Sequence, residues 1–579
     1  MVVFSKSFSD DGSRSAPAAV ASRLPALLRL CFAPLGLSFH PSKWVAWSPS
    51  ALSPVNAREF AARSLPVRPP GDGLVVVGCP VSCVSGSAVL SPTAAVGPAA
   101  AQASVVDAAV SRVLAACACL LAVLPSAVPA RRAESLVFRV VLRSVLPRLS
   151  FVCRVCPPAI VVSRAAPAFA AVERVLAVCL GWSDAEMAAS RPLLGWPTSL
   201  GGFGVTPLEV LAPASFLASW LAAPAALGWV SGVDECARHW ASLGTSRAVM
   251  LSGVFAAMWD AAPASFPASL AGLDVSSLSP AFRRDDRPRW QGAFVQWLQE
   301  ASQQKHLLAL GKKERAALGT RAEECGGAVL EMAPPYGFVL TVATWRTAAR
   351  LRAGLKPAPA FCMAPESRCA LHNAAGVCCP NSLDELGHHA LCCSSGGGWC
   401  ARHDHIRELL ASALRRYGAV VHTERWTHEL FDERKRRHAR MDLVVFVGGA
   451  CYYLDVTCTH PFSSKGVPRP AGRVAKAAEE KFDRYRTVVN GVRVTSAHLV
   501  PICLSSYGAV GVQARAFFSM LGRCSEDREG ARAAEVTSSL TSLCSFLAVM
   551  HSAQNCMAAF TSPAHGPGRR PSVPAASSG

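Results

Sequence analysis

The chain has few charged residues and no recognisable export signal. Only 17% of its 579 residues are charged, so the net charge of +19 does not come from a charge-rich tail. Arginine outnumbers acidic residues in several separate segments instead. Residues 1–11 have no basic leader, long apolar run or small-residue cleavage site, so we expect no secretory signal. The 23 cysteines are therefore expected to be reduced thiols or metal ligands rather than a disulfide framework.

A long, unbroken apolar run is also lacking. The best membrane candidate, 113–130, has no charge, but it is rich in Ala and Cys and is interrupted by Pro125 and Pro129. A spanning helix needs about 20 apolar residues. We therefore interpret 113–130 as a buried helix and expect no membrane partner. The positive charge balance favours nucleic acid as a partner, although it says nothing about the fold.

Several domains of α+β class are expected along the chain. Its length corresponds to roughly two to four domains of about 150 residues, and 51% hydrophobic residues suffice for a sizeable core. The predicted segments are a Pro- and Gly-punctuated region at 1–98, a helical domain at 99–220, a helical linker at 221–360, a Cys/His motif at 361–400, an α/β domain at 401–525, a helix at 526–560 and a disordered tail at 561–579.

Cysteine and histidine are concentrated between residues 361 and 400. Structural zinc requires four such ligands in tetrahedral geometry, usually as two short-spaced pairs. One residue from each cluster gives the preferred set of Cys369, Cys379, His389 and Cys393. The neighbours that remain open as alternatives are His372, Cys378, His388 and Cys392, with His403 and His405 as later competitors. We expect Zn²⁺ here to stabilise the fold rather than to perform chemistry.

Asp442 and Asp455 are predicted to face each other across a hairpin. Residues 441–447 and 450–458 have the pattern of strands, and Gly448-Gly449 between them is a good two-residue turn. Facing residue numbers then sum to 897, as 442 and 455 do, which places the two Cβ atoms about 5 Å apart. Like charges at that distance favour a bridging Mg²⁺ or Mn²⁺. The alternatives are an exposed face with salt-bridge partners, or a three-residue loop that shifts the register.

Further acidic and basic residues surround this hairpin. A helix is predicted at about 401–417, with an apolar stripe formed by Ile406, Leu409, Leu410, Ala413, Leu414 and Tyr417. A short strand at 420–424 ends in Glu424. A second helix is predicted at 474–486 and carries basic residues. Basic side chains beside paired acids suit a phosphodiester backbone, although a basic run is also typical of a solvated surface. The basic residues near the hairpin are Arg434, Lys435, Arg436, Arg437, Arg440, Lys476, Lys481 and Arg484.

The order of these motifs resembles a known family. The order is His389-Ala390-Leu391 leading to Cys393, Gly396-Gly397-Gly398, Arg402-His403-Asp404, Ile406-Arg407, Glu424, Asp442, Asp455-Val456-Thr457 and Lys481 to Tyr485. It is similar to the C-terminal cysteine–histidine motif and restriction-like endonuclease of site-specific non-LTR retrotransposons, which insert into ribosomal and spliced-leader genes. Met441 stands where the family has Pro, and Thr457 occupies the usual lysine position.

The resemblance implies a nuclease of the PD-(D/E)xK class. Asp442 and Asp455 would bind Mg²⁺ or Mn²⁺, Glu424 would add a ligand or orient water, and Lys481, with Lys476 as second choice, would supply the missing lysine. It further implies nicking of chromosomal target DNA to prime reverse transcription, element RNA as a second partner, and a nuclear location. The residues expected to bind nucleic acid are Lys43, Arg402, Arg434, Lys435, Arg436, Arg437, Arg440 and Arg484.

The N-terminal half resembles the same family's reverse transcriptase. Residues 1–6 and 35–43 look like consecutive palm motifs, which makes 1–98 a palm remnant and 99–220 a thumb-like domain. The metal-binding palm aspartates are missing, and Phe8-Ser9-Asp10-Asp11 is interpreted as a turn because no apolar strand follows it. Polymerase activity is therefore not expected from this chain alone. The alternative to a nuclease is a catalytically decayed, zinc-containing nucleic-acid-binding fragment.

Overall fold

The structure, a computed structural model, describes mainly residues 96–126, 133–226, 290–311, 327–335, 340–357, 368–373, 376–395, 397–463, 472–489, 492–529 and 533–560, with short strands and isolated positions elsewhere. Within these ranges the fold is mixed α+β, as expected. Lys43, most of 1–98 and the tail 561–579 lie outside the described residues. Two compact units are present: Met1–Ala122, Val140–Val175 and Thr206–Lys305 form the first, and Val123–Arg139, Leu176–Val205 and His306–Gly579 form the second.

The described elements are numbered here in chain order. The helices are α1 (Val96–Ser126), α2 (Ala133–Val140), α3 (Pro147–Val155), α4 (Pro158–Leu180), α5 (Asp184–Gly195), α6 (Leu208–Ala226), α7 (Trp290–Ala309), α8 (Ala328–Glu331), α9 (Val342–Ala353), α10 (His388–Cys392), α11 (Gly398–Arg416), α12 (Arg473–Arg484), α13 (Val512–Glu529) and α14 (Ala533–Phe560). The strands are β1 (Ala46–Trp47), β2 (Val67–Arg68), β3 (Leu74–Val76), β4 (Cys79–Val81), β5 (Val420–Asp432), β6 (Arg437–Val447), β7 (Ala450–Thr459), β8 (Tyr485–Val489), β9 (Val492–Thr495) and β10 (Leu499–Ser505).

Helix packing dominates the first unit. α3 packs against α6 and buries Leu149 and Phe216. An ion pair of 2.6 Å joins Arg164 of α4 to Asp107 of α1, but both side chains are about half exposed. Exposed pairs of this kind contribute only about 0–1 kcal/mol. Apolar burial therefore holds this helical layer together.

A buried aromatic and ionic layer supports α9 in the second unit. The indole Nε1 of Trp345 donates to the carbonyl of Cys179 over 3.1 Å, and its ring meets Phe138 edge to face at 5.6 Å. Arg350, also on α9, forms an ion pair with Glu186 in which the arginine side chain is 2% exposed and the glutamate side chain 25% exposed. Loss of Glu186 would therefore leave a buried guanidinium without its charge partner.

A six-stranded sheet forms the centre of the second unit. Its order is β10–β7–β6–β5–β8–β9, in which β10 runs parallel to β7 and the other neighbours are antiparallel. Gly448 and Gly449 both have positive φ, at 58° and 78°. A two-residue hairpin turn of type I′ requires positive φ at both positions, which suits glycine. The turn and register predicted for the hairpin of β6 and β7 are therefore present.

Helices cover this sheet and bring basic and histidine side chains to it. α11 packs against β5 and β7, while α12 packs against β7 and β10. The apolar stripe predicted for α11 is largely buried at Ile406, Leu410 and Leu414. α11 begins at Gly398 rather than near 401, a small difference of boundary.

Two predicted boundaries around the sheet differ from the structure. The helix predicted at 474–486 ends at Arg484, because Tyr485–Val489 forms β8 and pairs with the end of β5. The short strand predicted at 420–424 continues to Asp432, with a register shift between Thr427 and Phe431. Both differences reflect long-range strand pairing, which a local pattern does not contain.

Two described helices are long and apolar enough to cross a membrane by length and composition. Their spans are Ala103–Leu124 and Ala533–Phe560, and α4 with α5 passes only as a pair bent by 106°. α14 packs against α9, α11, α13 and β10, and it buries Phe546 and Met550. That packing makes α14 a core helix of the second unit. Only 28% of the Ala103–Leu124 window of α1 is buried, so the expectation of a buried helix at 113–130 is corrected for its described part, 113–126. The absence of a membrane partner stays a prediction.

Candidate functional site

Three carboxylates occupy facing positions on three adjacent strands. The paired residues of β6 and β7 end at Leu443 and Leu454, so the next facing positions are Asp442 and Asp455. β5 and β6 are paired immediately before and after Glu424, in a register that places this residue opposite Asp442. The sheet therefore lines up Glu424, Asp442 and Asp455 across β5, β6 and β7. We call this set the carboxylate row.

Asp455 is the buried member of the carboxylate row. Lys481 of α12 forms an ion pair with its Oδ2 atom, and the hydroxyl of Tyr485 donates to Oδ1 over 3.0 Å. Burial raises the pKa of the Asp455 carboxyl, the Lys481 ammonium opposes this rise, and the charge of Asp442 adds to it. A buried carboxylate in these surroundings is stabilised by any nearby cation.

Asp442 is held by the helix that packs over the sheet. His403 Nε2 lies 3.0 Å from Asp442 Oδ2, and the backbone N–H of Val456 donates to the same oxygen over 2.6 Å. His403 Nδ1 lies 3.3 Å from the carboxylate of Asp404. The hydrogen bond with Asp442 raises the pKa of His403. Near neutral pH, His403 therefore carries more positive charge than an ordinary histidine. His403 therefore contacts Asp442 and is not a member of the Cys/His cluster, for which the sequence had kept it as an alternative ligand.

Glu424 is clamped between two guanidinium groups. Arg407 donates to its Oε1 atom over 2.6 Å, and Arg440 donates to Oε2 over 2.5 Å. The backbone of Glu424 has a φ of 51°, a value that residues other than glycine rarely adopt. Such a conformation costs roughly 1–2 kcal/mol. The two arginines therefore hold a strained residue in place at one end of the carboxylate row.

Most of the predicted basic cluster forms an exposed tip between β5 and β6. Arg434, Lys435, Arg436 and Arg437 are all exposed there. The backbone N–H groups of Arg434 and Lys435 each donate to Asp432 Oδ1 over 3.1 Å, which fixes the tip. The tip presents four cationic side chains to solvent at the end of β5 and β6, the strands that carry Glu424 and Asp442.

Three other predicted nucleic-acid contacts have structural partners. Arg484 donates hydrogen bonds to both carboxylate oxygens of Asp432, the shortest over 2.7 Å. Arg440 is committed to Glu424, although its side chain is half exposed. Arg402 is buried and donates to Ser552 of α14 over 3.1 Å. The expectation that Arg402 binds nucleic acid is therefore corrected, because its guanidinium lies inside the protein.

A buried cluster of three thiols and one imidazole lies beside α10. Its members are Cys369, Cys379, His389 and Cys393, whose ligand atoms all lie within 4.8 Å of one another. The Cys369–Cys393 and Cys379–Cys393 sulfur distances are 3.8 and 3.6 Å, and Cys379 Sγ lies 3.4 Å from His389 Nε2. Zinc bonds of about 2.3 Å in a tetrahedron put sulfur atoms about 3.8 Å apart. The cluster can therefore hold a zinc ion.

Electrostatics and backbone contacts shape this cluster. Burial raises the pKa of the Cys369 thiol to about 12. Burial opposes ionisation of Cys379 as well, but hydrogen bonds with Asn381, Cys393 and Ser395 together hold the pKa of this thiol below its ordinary value. The carboxylate of Asp384 accepts the backbone N–H of His389 over 2.6 Å at the start of α10. A bound cation would stabilise the deprotonated thiols here.

The alternative ligands His372, Cys378, His388 and Cys392 make contacts outside the cluster. Cys378 Sγ lies 3.0 Å from His372 Nε2 in an exposed pair. His388 Nδ1 lies 3.2 Å from His460 Nε2, and Cys392 donates to the carbonyl of Phe462 over 3.4 Å. The doublets that left the sequence ambiguous are thus divided between two environments, and only one member of each lies in the cluster.

Three residues of the site occur in the sequence motifs, but none of them was assigned a role next to the acids from the sequence. His403 and Arg407 lie one helical turn apart on α11, a spacing that puts both on the face toward the carboxylate row. Tyr485 follows α12 at the first position of β8 and reaches Asp455. The spacing of His403 and Arg407 was a readable signal, whereas the Tyr485 contact depends on where α12 ends.

Comparison of the chain with models of known protein families gives no match, and comparison with curated proteins also gives none.

Proposed function

We propose that the chain is a metal-dependent DNA endonuclease of the kind found in site-specific non-LTR retrotransposons. The observation that carries the proposal is the carboxylate row, with Lys481 of α12 on its buried member Asp455. Metal-dependent hydrolysis of a phosphodiester uses paired acids and a nearby lysine, which are Asp442, Asp455 and Lys481 here. Glu424 adds a third acid on the neighbouring strand β5. The order of motifs along the sequence supports the same assignment.

The donor set at Asp442 and Asp455 fits Mg²⁺ or Mn²⁺. These ions prefer carboxylate oxygens, and burial together with the charge of Asp442 makes Asp455 a carboxylate that gains from a second cation. Both contacts to Asp442 fall on Oδ2, so Oδ1 points away from them. When bound, the ion supplies an acidified water and charge neutralisation at the phosphate.

The chain's own residues divide the remaining work in this proposal. Lys481 stabilises the negative charge that develops on the phosphate. His403 fixes the orientation of the Asp442 carboxylate, and Glu424 orients the attacking water from the position set by Arg407 and Arg440. The exposed cations Arg434–Arg437, at the tip where β5 and β6 join, hold phosphates farther along the bound DNA, where they bind without reading sequence.

The remaining assignments follow from the same family proposal. Zn²⁺ in the cluster of Cys369, Cys379, His389 and Cys393 would stabilise the fold. The substrate would be chromosomal target DNA, nicked in the nucleus so that the 3′ end primes reverse transcription of element RNA. Polymerase activity itself is not proposed for this chain.

A catalytically decayed nucleic-acid-binding fragment is the second candidate. The observation in its favour is that each acid of the carboxylate row already has a protein cation or proton donor. Arg407 and Arg440 hold Glu424, His403 lies on Asp442, and Lys481 lies on Asp455. A site neutralised by its own side chains can bind nucleic acid without cutting it.

Relaxation of supercoiled plasmid by the full chain distinguishes the two. The endonuclease proposal predicts nicked circles in Mg²⁺ or Mn²⁺ and none in EDTA. The fragment proposal predicts no nicking in any metal, together with binding that weakens steeply as salt rises. Absence of nicking in both ions, from protein that binds the plasmid, would contradict the endonuclease proposal.

A further inference from the structure

An exposed strip of aromatic and basic side chains runs along β5 and β6. Trp426 and His428 alternate along β5, while His438 and Arg440 alternate along β6, and all four are exposed. Trp426 faces Arg440 directly in the ladder. Trp426 is 49% exposed, so a large part of its apolar indole ring is in contact with solvent. We call these four residues the aromatic strip.

Ring contacts organise the strip. The guanidinium carbon of Arg437 lies 5.1 Å from the centroid of the Trp426 ring, in cation–π geometry. The rings of His428 and His438 meet edge to face, with centroids 4.9 Å apart. Together with Arg437, the strip is therefore an ordered surface that combines the π-face of Trp426 with the guanidinium groups of Arg437 and Arg440.

The aromatic strip lies next to the carboxylate row on the same two strands, β5 and β6. Glu424 and Trp426 are two residues apart on β5, as Asp442 and Arg440 are on β6. Two strand residues span about 7 Å. A stacked strand would cover that distance in about two nucleotides, and an unstacked, extended strand would cover it in fewer. Trp426 therefore lies within roughly one or two nucleotides of a phosphate held at the row.

We propose that Trp426 is a stacking site for an unpaired base of the bound strand. The inference rests on the proposed function in that the ligand is nucleic acid, and it adds that bases beside the cut are unstacked and held on the indole. Aromatic platforms flanked by cations are how proteins bind single strands. A duplex would engage only the cations, and an acidic peptide would leave the indole without a planar partner.

Binding without metal tests this inference separately from cutting. Anisotropy of a labelled oligothymidylate is measured with the full chain in EDTA, beside an abasic strand of equal length and charge. Trp426→Ala is expected to weaken oligothymidylate binding about tenfold, because one base loses the aromatic ring on which it stacks. It should leave the abasic strand unaffected, and Trp426→Phe should retain most of the affinity.

A matched control and three results complete the test. Trp399→Ala, which removes another half-exposed indole on α11, is expected to bind oligothymidylate as the unchanged chain does. If Trp426→Ala unfolds, Trp426→Leu keeps apolar area while removing the π-face. Oligothymidylate affinity unaffected by Trp426→Ala, or by Trp426→Leu in its place, would overturn the inference. Equal losses on the two strands, or competition by polyglutamate as strong as by oligothymidylate, would overturn it as well.

Discussion

Lys481 of α12 forms an ion pair with Asp455, the buried acid at the centre of the sheet. Thr457, two residues after Asp455 on β7, supplies no charge. A cation from the following helix therefore stands where the strand itself provides none. This relationship between a strand and a later helix is what makes the sheet a candidate for phosphodiester chemistry.

Removing the lysine should affect both activity and stability. Lys481→Met is expected to slow plasmid nicking about 100-fold, because charge on the phosphate loses its partner. It should also lower the free energy of unfolding by about 3 kcal/mol, since Asp455 stays buried without its ion pair. Lys476→Met, an exposed lysine of the same helix, should change the unfolding free energy by less than about 0.5 kcal/mol. Equal effects of the two variants on nicking would contradict the role given to Lys481.

Zinc content tests the ligand set. Cys393→Ser is expected to reduce bound zinc from one ion per chain to nearly none, and to lower the thermal midpoint, because binding energy is folding energy at a structural site. The measurement is elemental analysis with differential scanning fluorimetry. Cys378→Ser serves as the control, since Cys378 pairs with His372 outside the cluster. Loss of zinc from Cys378→Ser with retention in Cys393→Ser would show that the other members of the doublets bind the ion.

A buried histidine pair makes the second unit sensitive to acid. His551 Nε2 lies 2.8 Å from His405 Nδ1, and burial, with the charges of His405 and Arg402, lowers the pKa of His551 to about 3. The unfolded chain takes up this proton near pH 6.5 and the folded chain does not. Stability is therefore full above about pH 6.5 and falls as the pH drops toward 3.

The size of this effect is measurable by urea unfolding. Between pH 7 and pH 5, His551 should account for a loss of about 2 kcal/mol. His551→Gln is expected to flatten the pH dependence by that amount, whatever its effect at pH 7. His438→Gln, which removes an exposed imidazole, should leave the slope unchanged. An identical slope in all three proteins would contradict the assignment.

The left-handed backbone at Glu424 predicts an unusual ranking of variants. Glu424→Gly and Glu424→Ala both remove the carboxylate from Arg407 and Arg440, so they differ only in backbone preference. At a φ of 51° the glycine variant should be more stable by about 1 kcal/mol. At the neighbouring Arg425, which has ordinary φ, alanine should be more stable than glycine by a similar amount. Urea unfolding of the four variants shows whether the reversal occurs.

The hairpin of β6 and β7 was predictable because its information is local. Two glycines in the turn permit positive φ at both positions, and the turn then sets every facing pair along the strands. The position of Asp442 opposite Asp455 follows from counting residues. The helical stripe on α11 is local in the same sense, since a period of 3.6 residues identifies its buried side.

Other parts of the site depend on segments that are distant in sequence. Arg402 precedes Ile406 on the inner side of α11, and it is buried because α14, about 150 residues later, packs there and offers Ser552. The choice of His389 over His388 as a ligand depends on His460. This residue, next to the end of β7, contacts the buried imidazole of His388 outside the cluster. A sequence pattern gives residue types and spacing, but it does not show which distant element covers each side chain.

The rate at which the full chain nicks supercoiled DNA in Mg²⁺ tests the central claim most directly. Asp455→Asn and Asp442→Asn keep the shape of the two side chains and remove their charge, so each should lower the rate at least about 100-fold while DNA binding persists. Asp483→Asn, an exposed acid on α12, is the matched control and should cut as the unchanged chain does. Undiminished nicking by either hairpin variant would contradict a metal site at the carboxylate row.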